Sequence, residues 1–198
     1  GGWSPPLIAR ERKPVASFLK SHGYHTGCFG KWHLGMNWAA EGDAAFGDGI
    51  DPKVDPKSVD YARPIRNGPR SVGFDRYFGI AASLDMPPFV FISDDRATAL
   101  PTARKKWLRE GPAAPDFEAV DVLPALVRES TAYIAEQAKS GQPFFVYLPL
   151  NSPHTPIVPS PAFAGKSGIG DYGDFVLQTD DAVGRDFRPL PYLGLTDS

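Results

Sequence analysis

Two short stretches hold side chains that could do anion and proton chemistry. The first is Gly27-Cys28-Phe29-Gly30-Lys31-Trp32-His33-Leu34-Gly35. Lysine supplies a fixed positive charge, and an imidazole gives or takes a proton near neutral pH. In extended backbone, residues i and i+2 project to one side, so Lys31 and His33 could reach one anion. The same spacing also fits a solvated lysine and a packed histidine at a strand exit. The second stretch is Asn151-Ser152-Pro153-His154-Thr155-Pro156. Each proline restrains its own φ and the residue before it. His154 therefore sits in a restricted loop, aimed at a ligand oxygen or serving only as a turn histidine.

Other candidates are weaker. Gly30-Lys31 is not a phosphate-binding loop: position 25 is His where that loop needs Gly, and position 32 is Trp where it needs Ser or Thr. Asp94-Asp95 follows an apparent strand and offers hard oxygens to a divalent ion. Asp180 and Asp181 are helix neighbours that diverge by about 100° and do not easily share an ion. Asp171 and Asp174 suit a helix start. Capping and solvated faces account for all three pairs. Cys28 has no base beside it in sequence and reads as a small buried thiol rather than a nucleophile.

The elements that would position these groups can be read from periodicity. Residues 14–22 predict a short helix with Pro14 at its start and Gly23 past its end. A strand is expected from Tyr24 to Phe29, another over 88–92, and a third from Phe144 to Leu150. Residues 121–139 predict a helix with Val122, Leu126, Ile134 and Ala138 inward, stopped by Gly141. Residues 172–186 predict another, with Phe175, Thr179, Ala182 and Val183 on one face. Residues 41–72 and 97–117 look like loops. Alternation of strand and helix favours an α/β sandwich with a largely parallel sheet, where ligand chemistry collects beyond the carboxyl ends of strands.

Composition sets the outer bounds. The chain has 198 residues, with 21 Lys plus Arg against 23 Asp plus Glu and a formal charge of −2. Nothing in that balance marks a nucleic-acid binder. Apolar residues make up 42%, enough for one globular core. No apolar run approaches the ~20 residues of a membrane span. One cysteine excludes an internal disulfide framework. Glycine and proline, 20 and 21 residues, require many loops between few regular elements.

Four blocks, in order and at fitting spacing, resemble the type I sulfatases, the arylsulfatase-like branch of the alkaline phosphatase superfamily. They are GYHTGCFGKWHLG (23–35), GFDRYFGIAASLDMPPFVFI (73–92), PFFVYLPLNSPHTP (143–156) and GIGDYGDFVLQTDDAVGR (169–185). The similarity is strongest to bacterial arylsulfatases. The resemblance implies an alkaline-phosphatase-like α/β sandwich and hydrolysis of a small-molecule or carbohydrate sulfate ester. It implies a formylglycine nucleophile beside a calcium ion. It matches Lys31 to the lysine that bridges the sulfate, and His33 to the histidine that bonds the formylglycine diol. It matches Ser83 to a substrate contact, and His154 to the histidine that touches the sulfate and assists the leaving oxygen. Pre-aimed donors of this kind stabilise a developing oxyanion, and a histidine can deliver the proton.

The departures from that family are as specific. No Cys or Ser followed by x-Pro-x-Arg occurs upstream of residue 27, so the formylglycine motif is absent. The paired aspartates, the later Asp-Asn and the last lysine that the family uses are absent too, which leaves no metal ligands. The expectation is a single partial catalytic domain over 1–198, truncated at both ends, marginally stable and not competent for turnover alone. RDFRPLPY (185–192) places Pro189 and Pro191 where the family continues a helix, and LGLTDS (193–198) resembles the segment before the missing strand. Family members are commonly periplasmic, secreted or lysosomal, so a periplasmic or secreted location is the expectation. A non-catalytic anion-binding module and a related phosphonate monoester or phosphodiester hydrolase are the alternative readings.

Overall fold

A computed structural model describes residues 1–40, 42, 55–188, 190 and 193–195. The readings of 41 and 43–54 as part of the 41–72 surface excursion, of Pro189 and Pro191 as a helix interruption, and of 196–198 fall outside the described residues.

The chain forms an α/β sandwich around a mixed sheet. In chain order the elements are α1 (Val15–Lys20), β1 (His25–Lys31), β2 (Arg76–Ile80), β3 (Ile92–Ser93), β4 (Arg96–Ala97), β5 (Ala103–Trp107), β6 (Arg109–Ala113), α2 (Ala119–Ser140), β7 (Phe144–Tyr147) and α3 (Asp171–Phe187). The main sheet runs β4-β3-β2-β1-β7, and β5 and β6 form a separate hairpin. β1 pairs in parallel with β2 and β7, while β2-β3 and β3-β4 are antiparallel. The expected largely parallel sheet is therefore mixed. The parallel strands lie beside one another, and a short antiparallel hairpin forms one edge.

β1 is central because its residues suit burial on both faces. Five of its seven residues are buried, as is usual for a parallel strand covered on both sides. Gly27 leaves room for the Tyr133 ring of α2, which also packs on Phe29 at 5.2 Å between centroids. A Cβ at Gly79 would collide with the Gly30 carbonyl, so β2 approaches β1 only because position 79 is glycine, and a Cβ at Gly30 would collide with the Pro149 carbonyl beyond β7. The opposite face holds Phe74, stacked against Phe145 and Tyr147 of β7.

The helices follow their patterns with small changes. Pro14 is the N-cap of α1 rather than its first residue, and Gly23 turns left-handed past its end. α2 extends two residues earlier than expected and ends on left-handed Gly141. It buries Val122, Leu126 and Ile134 as predicted, with Leu123, Val127 and Tyr133 beside them. α3 packs against α2 through Phe175 and Ala182, but Val183 points to solvent.

Two regions differ from the sequence reading. Residues 97–117, expected as loop, contain the β5–β6 hairpin, with Leu108 at positive φ at its apex. Its half-buried positions alternate Ala103, Lys105, Trp107, and basic residues at 104–106 obscure that alternation. Residues 88–92, expected as strand, are extended but pair mostly outside the sheet. Phe89 donates its N–H to Pro112 O, and only Ile92 enters β3.

Candidate functional site

The site is built at the carboxyl ends of β1, β2 and β7. Three backbone hydrogen bonds tie the exit of β1 to both neighbours. Lys31 N–H donates to Pro149 O at 2.7 Å, Trp32 N–H to Ile80 O at 3.0 Å, and His33 N–H to Ala81 O at 3.0 Å. Trp32 is buried between the two candidate residues and donates its indole N–H to Gly35 O. That anchor holds Lys31 and His33 at the surface on either side of it. His33 has φ of +54°, so the simple alternation of extended backbone does not describe the pair.

Ser83 meets His33 directly. Its Oγ lies 3.2 Å from His33 Nδ1, and Ser83 is itself buried. That contact fixes the ring so that Nε2 is the free nitrogen. Burial first, then the Lys31 ammonium, lowers the His33 pKa below its ordinary value. The His154 charge adds to the lowering, and Asp85 opposes it. Lys31, Ser83, Asp85 and His154 thus all act on one imidazole from three different strand ends. His154 is exposed, and its Nδ1–H donates to Thr155 O at 2.7 Å, leaving Nε2 outward. Its loop is held to α3 by Thr179 Oγ1, which lies 2.8 Å from Ser152 Oγ.

The competing carboxylate pairs have structural roles. Asp94-Asp95 is the two-residue turn between β3 and β4, and Asp94 Oδ1 accepts the Tyr77 N–H. Asp181 pairs with Arg185 and Arg188. Asp174 accepts the Gly165 and Ser167 N–H groups ahead of α3. Cys28 is fully buried, and burial pushes its thiol far above the ordinary range, so no thiolate is available there.

Among the described residues no cluster of three His, Cys, Asp or Glu side chains could hold a metal ion. Calcium prefers six to eight oxygen ligands. The site instead offers an ammonium, two imidazoles and a hydroxyl, and its one nearby carboxylate, Asp85, faces Arg109. The residues present do not fit that ion.

Asp85 is the part of the site that sequence reasoning passed over. It stands two residues after Ser83 and is 9% exposed. An acidic residue between apolar Leu84 and Met86 was the available signal. Asn151 was quoted only as part of the histidine loop, yet it is 3% exposed with both amide atoms buried and unpartnered.

A model of the family described as Sulfatase matches residues 2–193. The chain belongs to the sulfatase family. This sulfatase chain is 28% identical, over 225 residues, to the N-acetylgalactosamine-6-O-sulfatase of Bacteroides thetaiotaomicron, covering 93% of this chain and 40% of that protein. It is 26% identical to the Homo sapiens N-acetylgalactosamine-6-sulfatase, covering 93% of this chain and 30% of that one. A solved structure described with a Bacteroides thetaiotaomicron locus for glycosaminoglycan metabolism superposes with a TM-score of 0.78 at 27% identity. It covers 99% of this chain and 45% of the other. The PsFucS1 sulfatase from Pseudoalteromonas sp. shares the fold, with a TM-score of 0.64 at 20% identity over 97% of this chain and 37% of that one. The chain thus spans less than half the length of these relatives. Among the described residues no helix is long and apolar enough to cross a membrane.

Proposed function

We propose that this chain supplies the sulfate-holding side of a sulfuric-ester hydrolase whose substrate is a sulfated carbohydrate. The observation that carries the reading is the Ser83–His33 contact. It joins the ends of β1 and β2, with Lys31 and His154 both acting on the same ring. Lys31 holds the charge of the tetrahedral sulfate. His33, oriented by Ser83, turns Nε2 to a sulfate oxygen. His154, fixed through Nδ1, presents Nε2 to the ester oxygen, and as an imidazolium it donates the proton that the departing alcohol needs. The names of the similar proteins support a sulfated hexosamine as the sugar.

The chain on its own binds and does not turn over. The sequence carries no Cys or Ser followed by x-Pro-x-Arg and Cys28 is buried as a thiol, so the formylglycine nucleophile that the reading needs is not among these residues. We read 1–198 as part of one catalytic domain, with an extracytoplasmic location that cell fractionation would test. Calorimetry with inorganic sulfate tests the central reading. Binding should weaken at least about tenfold in Lys31→Ala, the usual scale of a charge-assisted hydrogen bond. Equal affinity in wild type and Lys31→Ala would remove the sulfate pocket from this fold.

A further inference from the structure

We propose that Arg109, held beside the sulfate group by Asp85, binds a second oxyanion on the same carbohydrate. The inference rests on the sulfate reading above and extends it to the neighbouring sugar. A buried carboxylate is normally paired and fully hydrogen-bonded, because desolvation is costly. Asp85 is neither. Its Oδ1 is buried without a partner, and its Oδ2 faces the Arg109 guanidinium at 3.9 Å, beyond hydrogen-bond reach. The charge tethers the arginine without using its N–H donors. The Arg109 side chain is 61% exposed.

The hairpin fixes the base of that arm. Trp107 packs edge-on against Phe89 at 4.9 Å and against Phe117 at 5.8 Å. Phe89 N–H donates to Pro112 O and Ala114 N–H to Phe89 O, which ties the hairpin to the 87–91 segment. Gly111 lies against Pro87, where a side chain would not fit. The adjacent Glu110 is engaged by Arg104 at 2.7 Å, so it does not claim Arg109. A cleft of about 350 Å³ opens here, lined by Met86, Pro87, Arg109, Glu110 and the stretch Gly1 to Ser4. That volume lies at the small end of ligand clefts, about 300–1,000 Å³.

Two residues of chain link this cleft to the sulfate groups: Ser83, whose Oγ lies 3.2 Å from His33 Nδ1, stands two positions before Asp85, which faces Arg109 at 3.9 Å. A planar guanidinium with free donors matches a carboxylate or a sulfate in a two-pronged contact. The ligand class is therefore a sulfated sugar carrying a further oxyanion on its neighbour, from a uronic acid or from a second sulfate.

Calorimetry with four probes tests this: inorganic sulfate, a neutral monosulfated hexosamine, a disaccharide pairing that sugar with a uronic acid, and one pairing it with a second sulfated sugar. Wild type should prefer at least one disaccharide over the monosaccharide. Arg109→Gln should cost that disaccharide about tenfold to a hundredfold while leaving inorganic sulfate and the monosaccharide unchanged. Arg109→Lys should recover part of the loss, and Asp85→Asn should weaken the same disaccharide by less. The disaccharide that responds identifies the oxyanion. Equal binding of mono- and disaccharides, or an Arg109→Gln loss shared by all probes, overturns the inference. A Lys31→Ala variant that still binds inorganic sulfate normally overturns the sulfate reading and the inference together.

Discussion

Asp85 Oδ1 apart, the ends of β1 and β2 satisfy their polar groups more completely than the end of β7. At the first, Lys31, Trp32 and His33 donate their backbone N–H groups to neighbouring carbonyls. Tyr77 donates its phenol to Ile80 O at 3.0 Å from full burial, and Ser83 holds His33. At the second, Asn151 is buried with neither amide atom partnered. His154 is exposed and bonded only within its own loop, and the far edge of β7 pairs with no described strand. The lesson is a division of labour. The proposed sulfate-holding groups follow strands paired on both sides, and the proposed proton donor follows β7, whose far edge pairs with no described strand.

The most severe test strikes the interior half. Gly79→Ala sets a methyl against the Gly30 carbonyl between two central strands. Overpacking of this kind costs about 3 kcal/mol at its upper end, a large part of the ~5–15 kcal/mol that holds a domain together. Urea melts should show the midpoint collapse. A variant that melts like wild type would mean that β1 and β2 are not this close.

A paired comparison sharpens the contrast. Thr26, fully buried in β1, donates Oγ1–H to Gly73 O at 2.6 Å, and the same oxygen receives the Asp75 N–H. Thr26→Val takes the hydroxyl donor from Gly73 O, while Asp75 N–H keeps the Thr26 carbonyl at 2.9 Å, and should lose about 1–3 kcal/mol. Asn151→Leu removes two polar atoms that already lack partners. It should be neutral or stabilising by up to about 1–3 kcal/mol. Equal destabilisation by both would show that Asn151 is bonded after all and that β7 ends as completely as β1.

Sulfate affinity separates the halves by pH. His33 titrates below its ordinary value because burial and Lys31 disfavour its charge. The His154 charge acts in the same direction, against Asp85. The ring is therefore neutral at pH 7, and an anion binds its protonated form more tightly. Affinity should rise by about tenfold or less as pH falls through and below 6.5, and His33→Gln should remove that part of the rise. A pH profile unchanged in His33→Gln would place the titrating group on the β7 side.

The sequence showed where strands end more clearly than how they pair. The expected buried strand at 144–150 pairs only over Phe144–Tyr147 and none of those four residues is buried, whereas the helices at 121–139 and 172–186 were legible because periodicity and glycine stops agreed. The β5–β6 hairpin was not, since Arg104, Lys105 and Lys106 hide a half-buried alternation and Lys105 spends its charge on Phe117 O and Glu118. The antiparallel edge was hidden because β3 and β4 are two residues each, too short for any period. Lys31, His33 and His154 were visible as residue types at strand exits, and Ser83 through the resemblance alone. Asp85 and Arg109 lie 24 residues apart, on elements whose approach no local pattern encodes.

The smallest effect compares two carboxylates, one beside the sheet and one between helices. Burial works against Asp75, but its bonds to Lys20 and Thr26 prevail and lower its pKa. Its contribution is full above the unfolded value of 3.8 and is lost as pH falls through the lower folded value. Burial raises the pKa of Asp186 despite the Ser130 and Thr131 hydroxyls on Oδ1. Its contribution is full below 3.8 and is lost as pH rises through the higher folded value. At pH 7 the two substitutions should therefore act oppositely on the melting temperature. Asp75→Asn lowers it and Asp186→Asn raises it, each by about 1–3 °C on the scale of a chain this long. In acid, where both carboxyls are protonated, the two shifts should vanish. A pair that moved together at pH 7 would mean that the Ser130 and Thr131 hydroxyls outweigh burial at Asp186, as Lys20 and Thr26 do at Asp75.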